Sequence, residues 1–187
     1  MGQRGKESLV LLSGGIDSAA CTKYYLDSGY EVHSIFIDYG QLPANREFGS
    51  AEKIASYYGI DLIRLTFNSK QKYGAGEIEF RNAFLIFSSL LSCPSFKGLV
   101  SMGIHAGTRY YDCSEAFVLD INRILSTYSD GEITFDAPFL KWTKAQIVEF
   151  CKKRDVPLNL TYSCEEGGDI PCGKCLSCID RRTSGVC

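Results

Sequence analysis

No long apolar run occurs in this chain. Residues 9–12, Leu-Val-Leu-Leu, follow a polar start and are far too short for a signal-peptide core or a membrane span, and no other stretch reaches such a length. A soluble, cytoplasmic protein is therefore expected. The start Met1-Gly2 fails as a myristoylation signal because Lys6 stands where Ser or Thr is wanted. A surplus of charge is missing as well: 20 Lys and Arg against 22 Asp and Glu leave a formal net charge of −2. That balance gives no general attraction to nucleic acid or to anionic membrane, so neither is an expected partner. Internal repeats, low-complexity tracts and long linkers are also absent. The 187 residues suffice for one core and are too few for two comfortable ones.

What the chain does have is a glycine turn set between a strand and a helix. Ser13-Gly14-Gly15-Ile16-Asp17-Ser18 stands directly behind the apolar run and ahead of a helical segment over residues 19–28. Two glycines let the backbone approach an anion, Asp17 or Ser18 is placed to cap the helix, and the free N–H groups of the first turn point at negative charge. The loop is no Walker A motif, since no Gly-Lys-Ser/Thr follows at the required spacing, and the third glycine of a dinucleotide fingerprint is missing. The string Ser-Gly-Gly-x-Asp-Ser resembles the pyrophosphate loop of ATP pyrophosphatases, enzymes that activate a substrate by adenylation and release pyrophosphate.

The β-branched and aromatic residues 31–38 predict a second strand ending at Asp38, followed by the turn Tyr39-Gly40-Gln41. A helix is expected over residues 44–58, with Phe48, Ala51, Ile54, Ala55 and Tyr58 on one face and Gly59 placed to stop it. Residues 61–67, 98–104 and 132–136 read as further strands, and residues 82–91, 114–128 and 143–154 as helices. The helix over 82–91 is apolar nearly all round and is expected to be buried. Residues 68–76 form a polar surface loop, whose Ser69-Lys70-Gln71-Lys72 either covers a bound nucleotide or is simply solvated. Strands separated by helices predict the α/β class, a doubly wound parallel sheet of Rossmann-like type. Ligands of such sheets sit outside the carboxyl ends of the strands, at the topological switch point. Residues 13–18, 38–41 and 105–112 are therefore expected to converge on one site.

Nine cysteines in a chain with no export signal argue for a reducing compartment rather than for disulfides. Cys21, Cys93, Cys113, Cys151 and Cys187 are scattered, while Cys164, Cys172, Cys175 and Cys178 crowd together near the end. Cys172-Gly173-Lys174-Cys175-Leu176-Ser177-Cys178 holds two overlapping Cys-x-x-Cys steps. Four thiolates suit a closed tetrahedral zinc site, and Gly173 lets the backbone curl so that its amides face sulfur. Such a site has no position for an activated water and would be structural. An iron–sulfur cluster uses the same four thiolates and stays open as the alternative. A redox Cys-x-x-Cys lacks its usual strand-to-helix setting here. The expected division is an ATP-binding pyrophosphate-loop unit over residues 1–160, with a zinc-binding segment over residues 161–187 packed on it.

Together these motifs resemble the 7-cyano-7-deazaguanine synthase family, pyrophosphate-loop enzymes of deazapurine biosynthesis. Besides residues 13–18, the resemblance takes in Asp38-Tyr39-Gly40-Gln41, Glu47 and Ala51 on the helix behind, Arg81-Asn82, and Tyr111-Asp112-Cys113. It continues through Ala137-Pro138-Phe139 and Lys144 before Ile147, and closes on Tyr162-Ser163-Cys164 and the cysteine run up to Arg181. It implies ATP, magnesium and structural zinc. The reaction implied is adenylation of the carboxylate of 7-carboxy-7-deazaguanine, capture of the acyl-adenylate by ammonia, and a second activation that dehydrates the amide to the nitrile.

On the same resemblance, Ser13, Gly14, Gly15, Asp17, Ser18, Asp38 and Gly40 bind ATP, and Ser13, Asp17, Ser18 and Lys144 carry catalysis. Tyr39, Gln41, Arg81, Asn82 and Asp112 meet the deazapurine, and Cys164, Cys172, Cys175 and Cys178 hold the metal. Asp17 would also share in magnesium binding. Lys144 either neutralises developing phosphate charge or is a solvated helix lysine. Asp112 either accepts from a guanine-like N1–H and amine or caps the next helix. Relatives of this kind are often dimers, so a homodimer is expected on that ground.

The chain departs from the family pattern on the acceptor side. Glu77-Ile78-Glu79-Phe80 precedes Arg81-Asn82 where Val-Pro-x-Arg-Asn is usual, and Ser114-Glu115 follows Asp112-Cys113 in place of the usual arginine. Two alternatives follow. One resembles diverged members in bacterial antiviral defence systems, joining the deazaguanine acid to an amine of a protein acceptor. The other is a tRNA-modifying pyrophosphate-loop enzyme, with Cys113 as its catalytic cysteine.

Overall fold

Strands Glu7–Leu11 (β1), Glu31–Asp38 (β2), Leu62–Thr66 (β3), Gly98–Ser101 (β4) and Ile133–Asp136 (β5) pair in parallel in the order β3-β2-β1-β4-β5. The computed structural model describes residues 6–68, 70–74, 76–105 and 110–186. Residues 106–109 of one expected site segment, with Ser69 and Cys187, lie outside the described residues. Between and beyond the strands run helices Ile16–Asp27 (α1), Ala44–Tyr58 (α2), Arg81–Ser92 (α3), Glu115–Ser129 (α4), Lys144–Lys153 (α5) and Leu176–Thr183 (α6).

Both faces of the sheet are covered, which is why β1 reads as a continuous apolar run. Val10 and Leu12 pack with α1, α2 and α5, while Leu9 and Leu11 pack with Ile86 of α3 and Phe117, Ile121 and Leu125 of α4. β2 alternates likewise, Phe36 to one side and Ile35 and Ile37 to the other. At the edge strand β5, Asn122 of α4 stands in for a missing neighbour: its Nδ2 donates to the Phe135 carbonyl at 2.8 Å and its Oδ1 accepts the Phe135 N–H at 2.8 Å.

The expected α/β architecture is present, with local corrections. α1 begins at Ile16 behind Gly15, and neither Asp17 nor Ser18 caps it; both lie in its first turn, where the Ser18 hydroxyl donates back to the Gly15 carbonyl at 3.0 Å. α4 is capped by Ser114, which accepts the Phe117 N–H at 3.2 Å, so Asp112 is not its cap. α5 opens with a capping box between Thr143 and Gln146. α2 spans the expected residues, and Gly59 ends it in the left-handed region at φ 65°. α3 is not buried all round: Phe84, Phe87 and Leu91 are exposed, because the sheet covers only one side of the helix. β4 ends at Ser101, where its partner β5 ends at Asp136, and residues 102–104 turn toward α1. α6 had no signal in an apolar period, since five of its eight residues are charged or hydroxylic in a cysteine-rich segment.

Among the described residues no helix is long and apolar enough to cross a membrane.

Candidate functional site

The strand order reverses at β1, which has β2 on one side and β4 on the other. There the carboxyl ends of the strands diverge and leave a cavity of about 250 Å³. One wall is the glycine turn after β1, with Ser13, Gly15, Asp17 and Ser18; another is Tyr39, Gln41 and Glu47 after β2; Arg81 and Asn82 of α3 and residues 102–104 after β4 complete it.

The turn after β1 is shaped by close packing. Gly14 sits at φ 83°, and a Cβ there would run into the Glu47 carbonyl oxygen of α2. Gly103 abuts the Asp17 backbone in the same way. Ser13 Oγ donates to Ser18 Oγ at 3.1 Å, and the Gly15 N–H donates to Ser13 Oγ at 3.4 Å. The first-turn N–H groups of α1 have no helical acceptor, and together with the macrodipole they suit an anion.

Asp17, from that turn, and Lys144, from the first turn of α5, form an ion pair at 2.6 and 2.8 Å. Lys144 is thus no solvated helix lysine. His105 Nε2 approaches the same carboxylate at 3.7 Å, and His105 Nδ1 is buried with no hydrogen-bond partner among the described residues. The expected convergence of residues 13–18 and 105–112 takes in Asp17 and His105, whereas the ion pair of Asp17 with Lys144 had no signal in the spacing.

After β2, Asp38 and Gly40 shape a turn. Asp38 Oδ1 accepts the Gly40 N–H at 3.1 Å, and Oδ2 lies 3.4 Å from Arg64. Neither residue lines the cavity. The segment from Gln71 to Tyr73 clips onto this turn through the Tyr73 N–H to Gly40 carbonyl bond of 3.1 Å, while Lys70, Gln71 and Lys72 are exposed. Gln41 is buried: Nε2 donates to the Ile37 carbonyl at 3.2 Å and to Glu47 Oε2 at 3.0 Å, and Oε1 accepts the Tyr39 N–H at 2.9 Å. Burial pushes the Glu47 carboxyl up; the Gln41 bond and the Arg81 charge pull it back, and Asp38 adds to the rise. Tyr39 is likewise raised by burial, with Arg81 opposing.

Asn82 Nδ2 donates to the Asp112 carbonyl at 3.0 Å and its Oδ1 accepts from Arg81 Nε at 3.2 Å, tying α3 to the 3-10 turn Tyr111–Cys113. The Asp112 carboxylate faces Cys113 Sγ at 3.7 Å, and neither residue lines the cavity. Cys21 and Cys151 are core thiols that burial pushes up to about 12, far from nucleophilic use.

The four clustered cysteines come together as expected, with sulfurs all within 4.8 Å of one another. Gly173 at φ 72° curls the loop, and the N–H groups of Cys172 and Cys175 donate to Cys164 and Cys172 sulfur at 3.3 and 3.4 Å. Burial opposes ionisation of Cys164, but the N–H groups of Cys172 and Glu166 bring its thiol down to about 7. This donor set fits a tetrahedral metal ion. The tail also reaches the glycine turn: the Tyr162 N–H donates to the Gly14 carbonyl at 2.9 Å. Arg181 of α6 locks it from behind through Thr161 Oγ1 at 2.7 Å and the Leu158 carbonyl at 3.1 Å.

Solved structures share this fold. An NH3-dependent NAD synthetase from Campylobacter jejuni matches with a TM-score of 0.54 over 85% of this chain and 68% of that one, at 20% identity. A predicted subunit of tRNA methyltransferase from Methanocaldococcus jannaschii matches with 0.53 over 79% and 76%, at 17%. Sequence relatives are nearer. A 7-cyano-7-deazaguanine synthase from Archaeoglobus fulgidus is 33% identical over 94% of this chain and 84% of its own, and one from Thermoplasma acidophilum is 31% identical over 94% and 86%. The family model described as queuosine biosynthesis protein QueC matches residues 7–78 and 75–185, so the chain belongs to the QueC family.

Proposed function

We propose that this protein is an ATP-dependent enzyme that activates the carboxylate of 7-carboxy-7-deazaguanine and passes the acyl group to an amine. The observation that carries the reading is a single cavity lined both by the glycine turn and by Tyr39, Gln41 and Arg81. An anion cradle and side chains able to hydrogen-bond a ring thus share one space. Kinship with proteins named 7-cyano-7-deazaguanine synthase supports the choice of acid.

A carboxylate is a poor acyl donor because oxide would have to leave. In the proposed step its oxygen attacks the α-phosphorus of ATP, the bond to the β-phosphate oxygen breaks, and pyrophosphate departs. The amine then attacks the acyl carbon, AMP leaves with the bonding pair, and the nitrogen loses a proton. The protein's part is position and charge. Ser13, Gly14, Gly15 and Ser18 would hold phosphate oxygens through backbone and hydroxyl donors. Lys144, already held at the turn by Asp17, would offer its charge to the phosphates. Asp17 would then be free to share a magnesium ion, a hard cation that suits carboxylate and phosphate oxygens. The four thiolates would hold zinc as a structural ion.

With ammonia as acceptor the product is the amide and, after a second activation, the nitrile. A protein amine is the second reading, favoured by one observation. Ser114 caps α4 and Glu115 pairs with Lys141 at 3.0 Å, so neither of these two residues supplies the charge of the family's arginine. Incubation with ATP, the acid and ammonia, followed by mass spectrometry, tests both. Free amide or nitrile with pyrophosphate supports the synthase, mass added to a co-purified protein supports the conjugating enzyme, and no acid-dependent pyrophosphate overturns the proposal.

A further inference from the structure

The part of the cavity wall that follows β2 contains a carboxylate with no role in the activation chemistry. Gln41 is a bracket rather than a ligand, since both Nε2 hydrogens and Oε1 are already used. Asn82 is also engaged, by Arg81 Nε and the Asp112 carbonyl. Glu47, a charged side chain on α2, lines the cavity together with Arg81 and is aligned by Gln41 at 3.0 Å. A desolvated carboxylate of this kind calls for N–H donors.

The pair has a directional meaning. A carboxylate and a guanidinium lining one cavity complement a ring edge that presents an amine, an N–H and a carbonyl oxygen in a row. A guanine-type ring has that edge. An adenine-type ring presents one amine beside a bare ring nitrogen, so it gives the carboxylate a single donor and leaves part of the wall unmatched. We propose that Glu47, held in place by Gln41, selects a 2-amino-6-oxo ring by accepting from its amine and ring N–H, while Arg81 donates to its carbonyl oxygen. Glu47 thereby takes the recognition role that the family resemblance suggested for Asp112, whose carboxylate faces Cys113 outside the cavity. The assignment rests on the activation reading for its substrate class, and is tested without that chemistry.

The probes are 7-deazaguanine and 7-deazaadenine, neither of which has a carboxylate to activate, titrated calorimetrically into the full chain. The wild type is expected to bind the first at least about tenfold more tightly, the size expected for hydrogen bonds to a charged group. Glu47→Gln and Glu47→Asp, both checked for cooperative melting, are expected to bring that preference within about twofold. Equal binding of the two bases by the wild type, binding of neither, or a preference that survives in both variants overturns the assignment. A preference that depends on Glu47 in a protein releasing no pyrophosphate from the carboxylated base upholds it and instead sinks the activation reading.

Discussion

Lys144 Nζ lies 2.6 Å and 2.8 Å from the two carboxylate oxygens of Asp17, across 127 residues of chain. The pair ties the glycine turn to α5, because Asp17 lies in the first turn of α1 and Lys144 starts α5; of the two, only Asp17 lines the cavity. Both side chains are about a fifth exposed, at 23% and 22%, so the attraction is only partly screened. Removing either partner leaves the other charge half-buried. Asp17→Asn and Lys144→Met should each destabilise the protein by about 1–2 kcal/mol, with a coupling of about 1 kcal/mol in the double-mutant cycle. Both should also lower acid-dependent pyrophosphate release by about 100-fold or more if the pair serves the phosphates. Chemical denaturation and a pyrophosphate assay on the same four proteins separate the two effects; a coupling of zero would mean the pair does not exist in solution.

The glycines make a contrast that depends on packing alone. Gly14 and Gly29 both have φ in the left-handed region, at 83° and 77°, yet a Cβ on Gly29 meets nothing within 4 Å while one on Gly14 meets the Glu47 carbonyl. Gly29→Ala should cost about 1 kcal/mol, the conformational term by itself. Gly14→Ala should cost about 2–4 kcal/mol, because overpacking against backbone adds to it, and should weaken ATP binding as α2 is pushed from the turn. Urea denaturation of the two variants is the measurement, and equal losses would refute the close approach.

The cysteine tail is bonded to the glycine turn through the Tyr162 N–H and the Gly14 carbonyl, only two residues before Cys164. Loss of the metal should therefore reach the cavity. Plasma mass spectrometry should find about one zinc per chain, and iron in its place, with visible absorption, would indicate the cluster alternative. Cys172→Ser or a strong chelator should lower stability by several kcal/mol and weaken nucleotide binding in calorimetry at temperatures where the rest of the chain stays folded. Full retention of nucleotide affinity by metal-free protein would show that tail and turn are independent.

The centre of the sheet was legible in the sequence because β1 and β2 are buried on both faces, and so residues 9–12 and 35–37 read as apolar runs. The end of α2 was legible from Gly59, and the metal cluster from the spacing of Cys172, Cys175 and Cys178. Contacts made across the sheet were not. The switch-point argument brought the segments of Asp17 and His105 to one site and the resemblance grouped Lys144 with Asp17, but the ion pair itself was written in no spacing. The same holds for Glu47, which reads as an ordinary first-turn acid of an amphipathic helix until Gln41 and Arg81 are placed beside it. α3 misled for the opposite reason. Its apolar residues exceed what one side of the sheet can cover, and Leu91 is left 82% exposed.

Glu47 sets stability against recognition, and its pH dependence has a definite sign. Burial raises its carboxyl above the ordinary range despite the help of Gln41 and Arg81. A carboxyl that is harder to ionise when folded binds more protons in the folded than in the unfolded chain. Its contribution is therefore present at low pH and is lost as pH rises through the raised folded value. Glu47→Gln removes that dependence while its amide oxygen still accepts from Gln41 Nε2. At neutral pH the variant should melt about 2–4 °C above the wild type, equivalent to roughly 1 kcal/mol in a domain of this size. Toward pH about 4, where the ordinary carboxyl is itself half protonated, the gap should close. Thermal melts of both proteins between those conditions decide it, and a variant less stable than the wild type at neutral pH would mean that Arg81 stabilises the ionised carboxylate by more than burial opposes it.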